Sequence, residues 1–275
     1  MINALTIDVE DYYMVSAFAD RIKFEDWRSY ESRVDRNTRI LLDLLAVHNA
    51  KATFFVLGWV AEQHPQLVKD INRAGHEVAS HGYNHRLIYD LTPGEFREDV
   101  RKTKTILEDL TGCRVQGFRA TSYSVAKETL WALDILIEEG YVYDSSIFPI
   151  RHDRYGYPEA PRFPYIIKRT SGKITEFPPS TSSLFGQNIP IAGGGYLRLF
   201  PLSATKAAMR WINEKERQSV IVYLHPWEID CEQPRMRGTW LSKIRHYINI
   251  NSTLPKLKAL LISFSFKPLS SFACE

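Results

Sequence analysis

Residues 51–85 read KATFFVLGWVAEQHPQLVKDINRAGHEVASHGYNH. Aromatic and β-branched residues crowd KATFFVLG, the composition of a buried strand. In HPQLVKDINRAG, residues 64–75, proline sits at the first helical position and glycine closes the run, as in a helix. HEVAS, residues 76–80, is a further short strand. The stretch therefore alternates strand, helix and strand, the pattern of a parallel sheet with helices outside it. It ends on His81 and His85, four positions apart. On a helix such residues share a face and can clamp one ion. Gly82 and Asn84 between them are poor helix formers, so the strand is expected to end and turn at His81, with His85 curling back beside it.

The alternation continues outward. Upstream, NALTID (residues 3–8) is a strand ending in acids, and residues 37–48 carry Ile40, Leu41, Leu44, Leu45 and His48 at helical spacing. Downstream, residues 91–112 open with Thr92, Pro93 and Glu95, a threonine cap with glutamate three places on. The apolar stripe of that helix runs through Phe96, Val100, Ile106, Leu107 and Leu110. VQGFRA (115–120) reads as a strand, residues 127–140 as a helix and YVYDSS (141–146) as a strand. Residues 149–196 are rich in proline and glycine around the short strand KITEFPP. Residues 202–216 form a helix and SVIVYLH (219–225) an apolar strand. The reading is an α/β fold in a single domain over residues 1–275, and periodicity does not choose between an open sheet and a closed barrel.

A chain of 275 residues, 44% apolar and 24% charged, has an ordinary globular composition and fits one large core. A net charge of +3 without a basic run gives no sign of nucleic-acid binding. Cys113, Cys231 and Cys274 are odd in number and far apart, which is neither a disulfide framework nor a CxxC site and fits a reducing compartment. MINALTIDVED has no basic region preceding an apolar run, and no apolar stretch is long enough to span a bilayer. The expected setting is the cytoplasm. The segment KLKALLISFSFKPL (256–269) reads as a packed helix and strand, with weak membrane-surface contact through Lys256, Lys258 and Lys267 as the alternative. Oligomeric state is not legible.

Polar residues gather at strand ends. Asp8, Glu10 and Asp11 end the first strand, Ser80 and His81 the third, with Arg119, Asp144 and His225 ending three others. In parallel α/β folds those ends share one face, where active sites form. One carboxylate with His81 and His85 would make a three-ligand metal site with open positions. The metal would acidify a water and polarise a carbonyl, and a second carboxylate would take the proton. His225 could protonate a leaving nitrogen or oxygen, and Arg119 would hold a carboxylate ionised. The implied reaction is metal-assisted hydrolysis of an amide or ester.

LTIDVED, SHGYNH, GFRATSYS and YLH, in this order and spacing, resemble the motifs of the polysaccharide deacetylase family. This is carbohydrate esterase family four, which includes chitin and peptidoglycan deacetylases. The resemblance covers about residues 3–225. YLHPWEID and AGGGYLRLFP further resemble a bacterial subgroup associated with exosortase-linked exopolysaccharide loci, with its own extension from about residue 226. The resemblance implies a distorted (β/α) barrel of about seven units. It implies removal of acetyl groups from N-acetylated sugars of a bacterial polysaccharide or its precursor. It also implies a divalent metal, for which zinc is the default and cobalt or nickel would fit.

Carried over by position, Asp8 matches the base, His81 and His85 the histidine ligands, Arg119 the residue orienting the base, and His225 the acid. The family often has adjacent aspartates in its first motif, but Val9 follows Asp8, so the third ligand is Glu10 or Asp11. Glu10 shares a strand face with Asp8 and is favoured. Thr121 stands where the family has proline, and the aromatic residue comes one place late as Tyr123, which leaves the oxyanion donor open. Asp144 loosely matches the carboxylate that tethers the acid histidine. Tyr123, Asp144 and Trp227 are the candidates for contact with substrate, with Glu228 beside Trp227 as pocket wall. AGGGYLR, residues 192–198, reads as a lid or donor loop, and His48, His64 and His246 as surface residues. Two other readings are a non-sugar amidohydrolase and an inactive saccharide-binding relative, the latter kept open by the altered arginine motif.

Overall fold

A computed structural model describes residues 1–152, 155–191 and 193–273. Cys274 and Ala192, the first residue of the glycine-rich stretch, lie outside the described residues. Strand β1 (Ile2–Val9) is buried at every position after Ile2 because neighbours cover both its faces and both its edges. In chain order follow β2 (Thr53–Val56), β3 (Glu77–Ser80), β4 (Gly117–Phe118), β5 (Tyr143–Asp144), β6 (Tyr165–Arg169) and β7 (Gly172–Glu176). Then come β8 (Thr181–Leu184), β9 (Gln187–Pro190), β10 (Ile221–Leu224) and β11 (Ser265–Lys267). The main sheet runs β10-β1-β2-β3-β4-β5-β7-β6, and β11 also pairs with β1. All its pairings are parallel except that of edge strand β6 with β7. Seven parallel strands thus follow one another, the number the sequence motifs imply.

The sheet curls. Ala4, Phe55, Ala79, Tyr143, Phe177 and Ile221 form one interior cluster, although their strands span the sheet from β10 to β7. Among the described residues no ladder joins β7 to β10; instead Ser180 Oγ accepts from the Ile221 amide at 2.8 Å. The result is a distorted, incompletely closed barrel. Alternation along β1 sends Leu5, Ile7 and Val9 to the outer core, while Ala4, Thr6 and Asp8 point inward. Gly117 is needed where β4 meets Tyr143, since a Cβ there would lie 2.0 Å from the ring.

Helices cover the outside: α1 (Val34–Val47), α2 (Gly58–Gln63), α3 (Pro65–Arg73), α4 (Pro93–Thr111), α5 (Trp131–Glu138), α6 (Gly194–Leu199), α7 (Leu202–Trp211), α8 (Trp240–Tyr247) and α9 (Thr253–Ser263). The capping box of α4 forms as expected, Glu95 N donating to Thr92 Oγ1 at 3.3 Å and Thr92 N to Glu95 Oε2 at 2.8 Å. Residues 149–196 hold two hairpins, β6–β7 and β8–β9, where the sequence suggested one strand. Their residues are largely half-exposed, so no apolar alternation marked them.

The C-terminal segment packs as α9 and β11, with Leu257, Leu260 and Phe266 buried. The Lys256 ammonium donates to the carbonyls of Leu197, Arg198 and Phe200 at 2.8–3.0 Å, satisfying the end of α6. Among the described residues no helix is long and apolar enough to cross a membrane.

Candidate metal centre and acid–base pair

β3 carries the chain into the barrel mouth and stops at Ser80, after which the His81 amide still donates to Val56 O at 3.0 Å. Gly82 (φ 73°) and His85 (φ 59°) then turn the chain back on itself. The turn is pinned from both sides. Gly82 O and Tyr83 O accept from the first amides of α2 at 2.9 and 3.0 Å, and the Tyr83 amide donates to Asp99. Burial pushes the Asp99 carboxyl up to about 6 against that hydrogen bond.

This brings His85 Nε2 to 2.8 Å from Glu10 Oε2 and His81 Nε2 to 4.0 Å from it. One ligand atom from each of the three lies within 4.8 Å of the others. His81 Nδ1 sits 2.7 Å from the Arg119 carbonyl, which can only accept. The proton is therefore on Nδ1, and Nε2 presents its lone pair to the cluster. Burial pushes His81 down to about 4, so it is neutral at physiological pH. Glu10 Oε1 accepts from Trp227 Nε1 at 3.1 Å, whereas the buried Oε2 receives no hydrogen bond. Burial opposes charge on Glu10, but His85, His225 and His81 together hold it well below the usual carboxylate range. A charged, buried oxygen without a donor beside two imidazole nitrogens suits a divalent cation.

Asp11, the alternative ligand, is not part of this cluster. It accepts from Ser32 Oγ and the amides of Arg33 and Val34, at 2.9, 2.8 and 3.2 Å, and so caps the start of α1.

Asp8 lies opposite. Arg119, wholly buried, donates from Nη1 to Asp8 Oδ1 at 2.7 Å and to Thr6 Oγ1 at 2.8 Å. Its other nitrogens are held by the carbonyl and hydroxyl of Ser145. Its Cζ lies 4.2 Å from the centroid of the Phe55 ring. The missing proline does not displace it. Thr121 Oγ1 donates to Arg86 O at 2.8 Å, and Ser122 and Tyr123 both adopt positive φ, of 51° and 53°.

His225 follows β10 and points Nε2 at Asp8 Oδ2 (3.8 Å) and Glu10 Oε1 (3.7 Å). Its Nδ1 is 3.0 Å from Glu228 Oε2. Glu228 Oε1 in turn accepts from Arg198 Nε at 2.9 Å, and the rest of that guanidinium is fixed by the carbonyls of Arg245, His246 and Ile248. Burial works against charge on His225, but Glu10, Glu228 and Asp8 outweigh it and raise it to about 9.

The tether of His225 is thus Glu228, not Asp144. Asp144 is buried away from the pocket, bonded to Ser146 and to the carboxyl of Glu176. Asp144 is not among the residues that line the pocket. Glu228 was legible as a partner three residues after His225 in a capping pattern; Arg198 had no signal beyond its place in the glycine-rich stretch.

Burial raises both members of the Asp144–Glu176 pair, Asp144 to about 6 and Glu176 well above its ordinary value, so the folded pair keeps a proton. Unfolded, both ionise near pH 4. Stability from this pair is present at low pH and is lost as pH rises through about 6. Glu176→Gln should therefore raise the melting temperature more at pH 8 than at pH 5. An equal gain at both would show that no proton is shared.

Tyr123 and Trp227 do wall the pocket, together with Tyr155 and Tyr223. Tyr123 packs edge-on to Phe148 and Tyr223, and its buried hydroxyl has no hydrogen-bond partner. His246, expected at the surface, is buried and stacks on Trp227 at 4.1 Å and 11°.

Fold and site define an α/β barrel with a metal-ready Glu–His–His cluster at its strand C-termini. Residues 22–136 match the family model of polysaccharide deacetylase. Residues 145–273 match a domain of unknown function (DUF3473). The site draws on both: His81, His85 and Arg119 come from the first, Arg198, His225 and Glu228 from the second, and Asp8 and Glu10 precede them. A peptidoglycan-N-acetylglucosamine deacetylase of Bacillus cereus is 37% identical over 95 residues, 34% of this chain and 34% of that protein. The chain thus matches about a third of that relative's length. A Mycobacterium smegmatis structure described as a polysaccharide deacetylase superposes with TM-score 0.63 at 24% identity, over 99% of this chain and 88% of that one. Puue allantoinase has the same fold, with TM-score 0.60 and 16% identity over 95% of this chain and 83% of that one.

Proposed function

We propose that the chain hydrolyses the acetamide of N-acetylated sugars in a bacterial polysaccharide or its precursor, with a divalent metal. The observation that carries this reading is one pocket holding Glu10, His81 and His85 together with the open edges of Asp8 and His225. The metal, zinc by ligand preference, would be held by those three residues and supplies Lewis acidity toward the acetyl carbonyl. Asp8, aimed by Arg119, takes a proton from the attacking water. The water oxygen bonds the acetyl carbon, and the C–N bond breaks. His225 Nε2 gives a proton to the leaving nitrogen, so acetate and a free amine result. Aromatic faces of Tyr123, Tyr223 and Trp227 suit stacking against a sugar ring. Arg119 reaches Asp8 despite the altered motif, which supports an enzyme over an inactive binder.

Exposed free Cys113 and Cys231 support a cytoplasmic setting, where the substrate would be a precursor met before export. The match to a domain of unknown function is consistent with the exopolysaccharide-associated subgroup. The reading is tested by acetate release from defined N-acetylated oligosaccharides, abolished by chelation and restored by zinc, cobalt or nickel. No release from any such sugar by metal-loaded protein would refute it.

Glu228→Gln keeps shape but loses the charge that orients His225. Supporting hydrogen bonds of this kind are worth roughly 10–100-fold, so kcat should fall by about that factor with KM and metal content unchanged. A fall in metal content instead would place Glu228 in support of the ion.

A further inference from the structure

Helix α8 is turned inside out. Its buried residues are Ser242 and His246, both polar and four apart. Its apolar residues Trp240, Leu241 and Ile244 are 73%, 41% and 47% exposed. Helices on globular surfaces show the opposite arrangement, and clustered exposed apolar side chains mark an interaction face. The charge carried by this stretch has one sign. Residues 233–250 contain Arg235, Arg237, Lys243 and Arg245, all exposed, and no aspartate or glutamate. A groove between the helix and the preceding segment has Met236, Ile244, Tyr247 and Ile248 in its lining, with Arg235, Arg237 and Lys243 beside them. The helix also touches the catalytic pocket from behind. His246 stacks on Trp227, which donates to Glu10, and Arg245 lines the pocket.

We propose that α8 and residues 233–239 form a docking face for an anionic lipid bilayer. Indole rings seek the membrane–water interface, leucine and isoleucine enter the acyl boundary, and flanking cations meet acidic headgroups. The one-signed charge also argues against a second copy of the chain, since two such faces would oppose like charges. The N-cap of α8, Thr239 Oγ1 accepting from Ser242 N at 3.1 Å, holds the helix in place to present this face. The inference does not depend on the reaction proposed above.

The test is cosedimentation of the chain with phosphatidylcholine vesicles containing or lacking phosphatidylglycerol, at low and high salt. Wild type should pellet only with the anionic vesicles and be released as salt rises. The double variant Trp240→Ser, Ile244→Ser should bind at least ~10-fold more weakly by removing the inserted residues. Arg237→Ala with Lys243→Ala should weaken binding by roughly 25-fold, from about fivefold per basic residue. All four side chains are exposed, so both variants should keep the wild-type melting temperature. No wild-type binding to anionic vesicles, or undiminished binding by the serine variant, would overturn the proposal. So would a wild-type dimer in light scattering that the serine variant abolishes, which would assign the face to a second copy.

Discussion

His81→Ala should leave the protein without stoichiometric metal and reduce deacetylation by about 10³-fold or more. The magnitude follows from several kcal/mol of Lewis-acid stabilisation at about 1.4 kcal/mol per factor of ten. The geometry makes His81 the most sensitive of the three ligands. Its Nδ1 is fixed on the Arg119 carbonyl, so the ring arrives already oriented and desolvated. Alanine removes a donor that neither His85 nor Glu10 can replace from its own side of the cluster. Elemental analysis of purified protein and an acetate assay read the two effects separately. A variant that keeps one metal per chain would show that the ion sits elsewhere.

Asp8→Asn should do something different: keep the metal and lose at least ~10²-fold in kcat, the usual scale for a missing general base. Asparagine preserves the oxygen that accepts from Arg119, so the loop geometry persists, but it cannot take a proton. It also leaves a wholly buried guanidinium without its counter-charge, which costs about 3–5 kcal/mol when a buried pair is broken. A clear drop in melting temperature should therefore accompany the kinetic loss, and the comparison belongs well below that temperature. Metal lost from Asp8→Asn but retained by Glu10→Gln would exchange the roles of the two acids.

Much of this was legible in the sequence because it obeys periodicity. Period-two alternation in β1 puts Thr6 and Asp8 on the inner face, and the Pro–Gly punctuation of α3 and α4 is local chemistry. The H-x-x-x-H turn was legible because Gly82 rules out a helix. What was hidden depends on partners distant in the chain. Asp11 remained an alternative to the favoured Glu10 until α1 presented its first amides to it. Asp144 looked like a tether until Glu176, 32 residues on, claimed it inside the barrel. His246 looked like a surface residue because α8 reverses the usual pattern, its apolar side facing out. The role of Lys256 was hidden because nothing local announces three waiting carbonyls at the end of α6.

The position of β1 has a consequence for biosynthesis. It is made well before β10 and β11, yet Ala4 pairs with Ile221 in β10 and Ile2 with Ser265 in β11. At ~5–20 residues per second, roughly 10–40 s separate the emergence of Ala4 from that of its partner. During that interval β1 can pair with β2, whose Thr53 is its partner through Thr6, but its other edge stays bare. Glu10, His81 and His85 have all been made by then, long before His225. A chain interrupted before residue 221 would carry the cluster and an unpaired edge strand, the kind of exposed edge that invites wrong pairing.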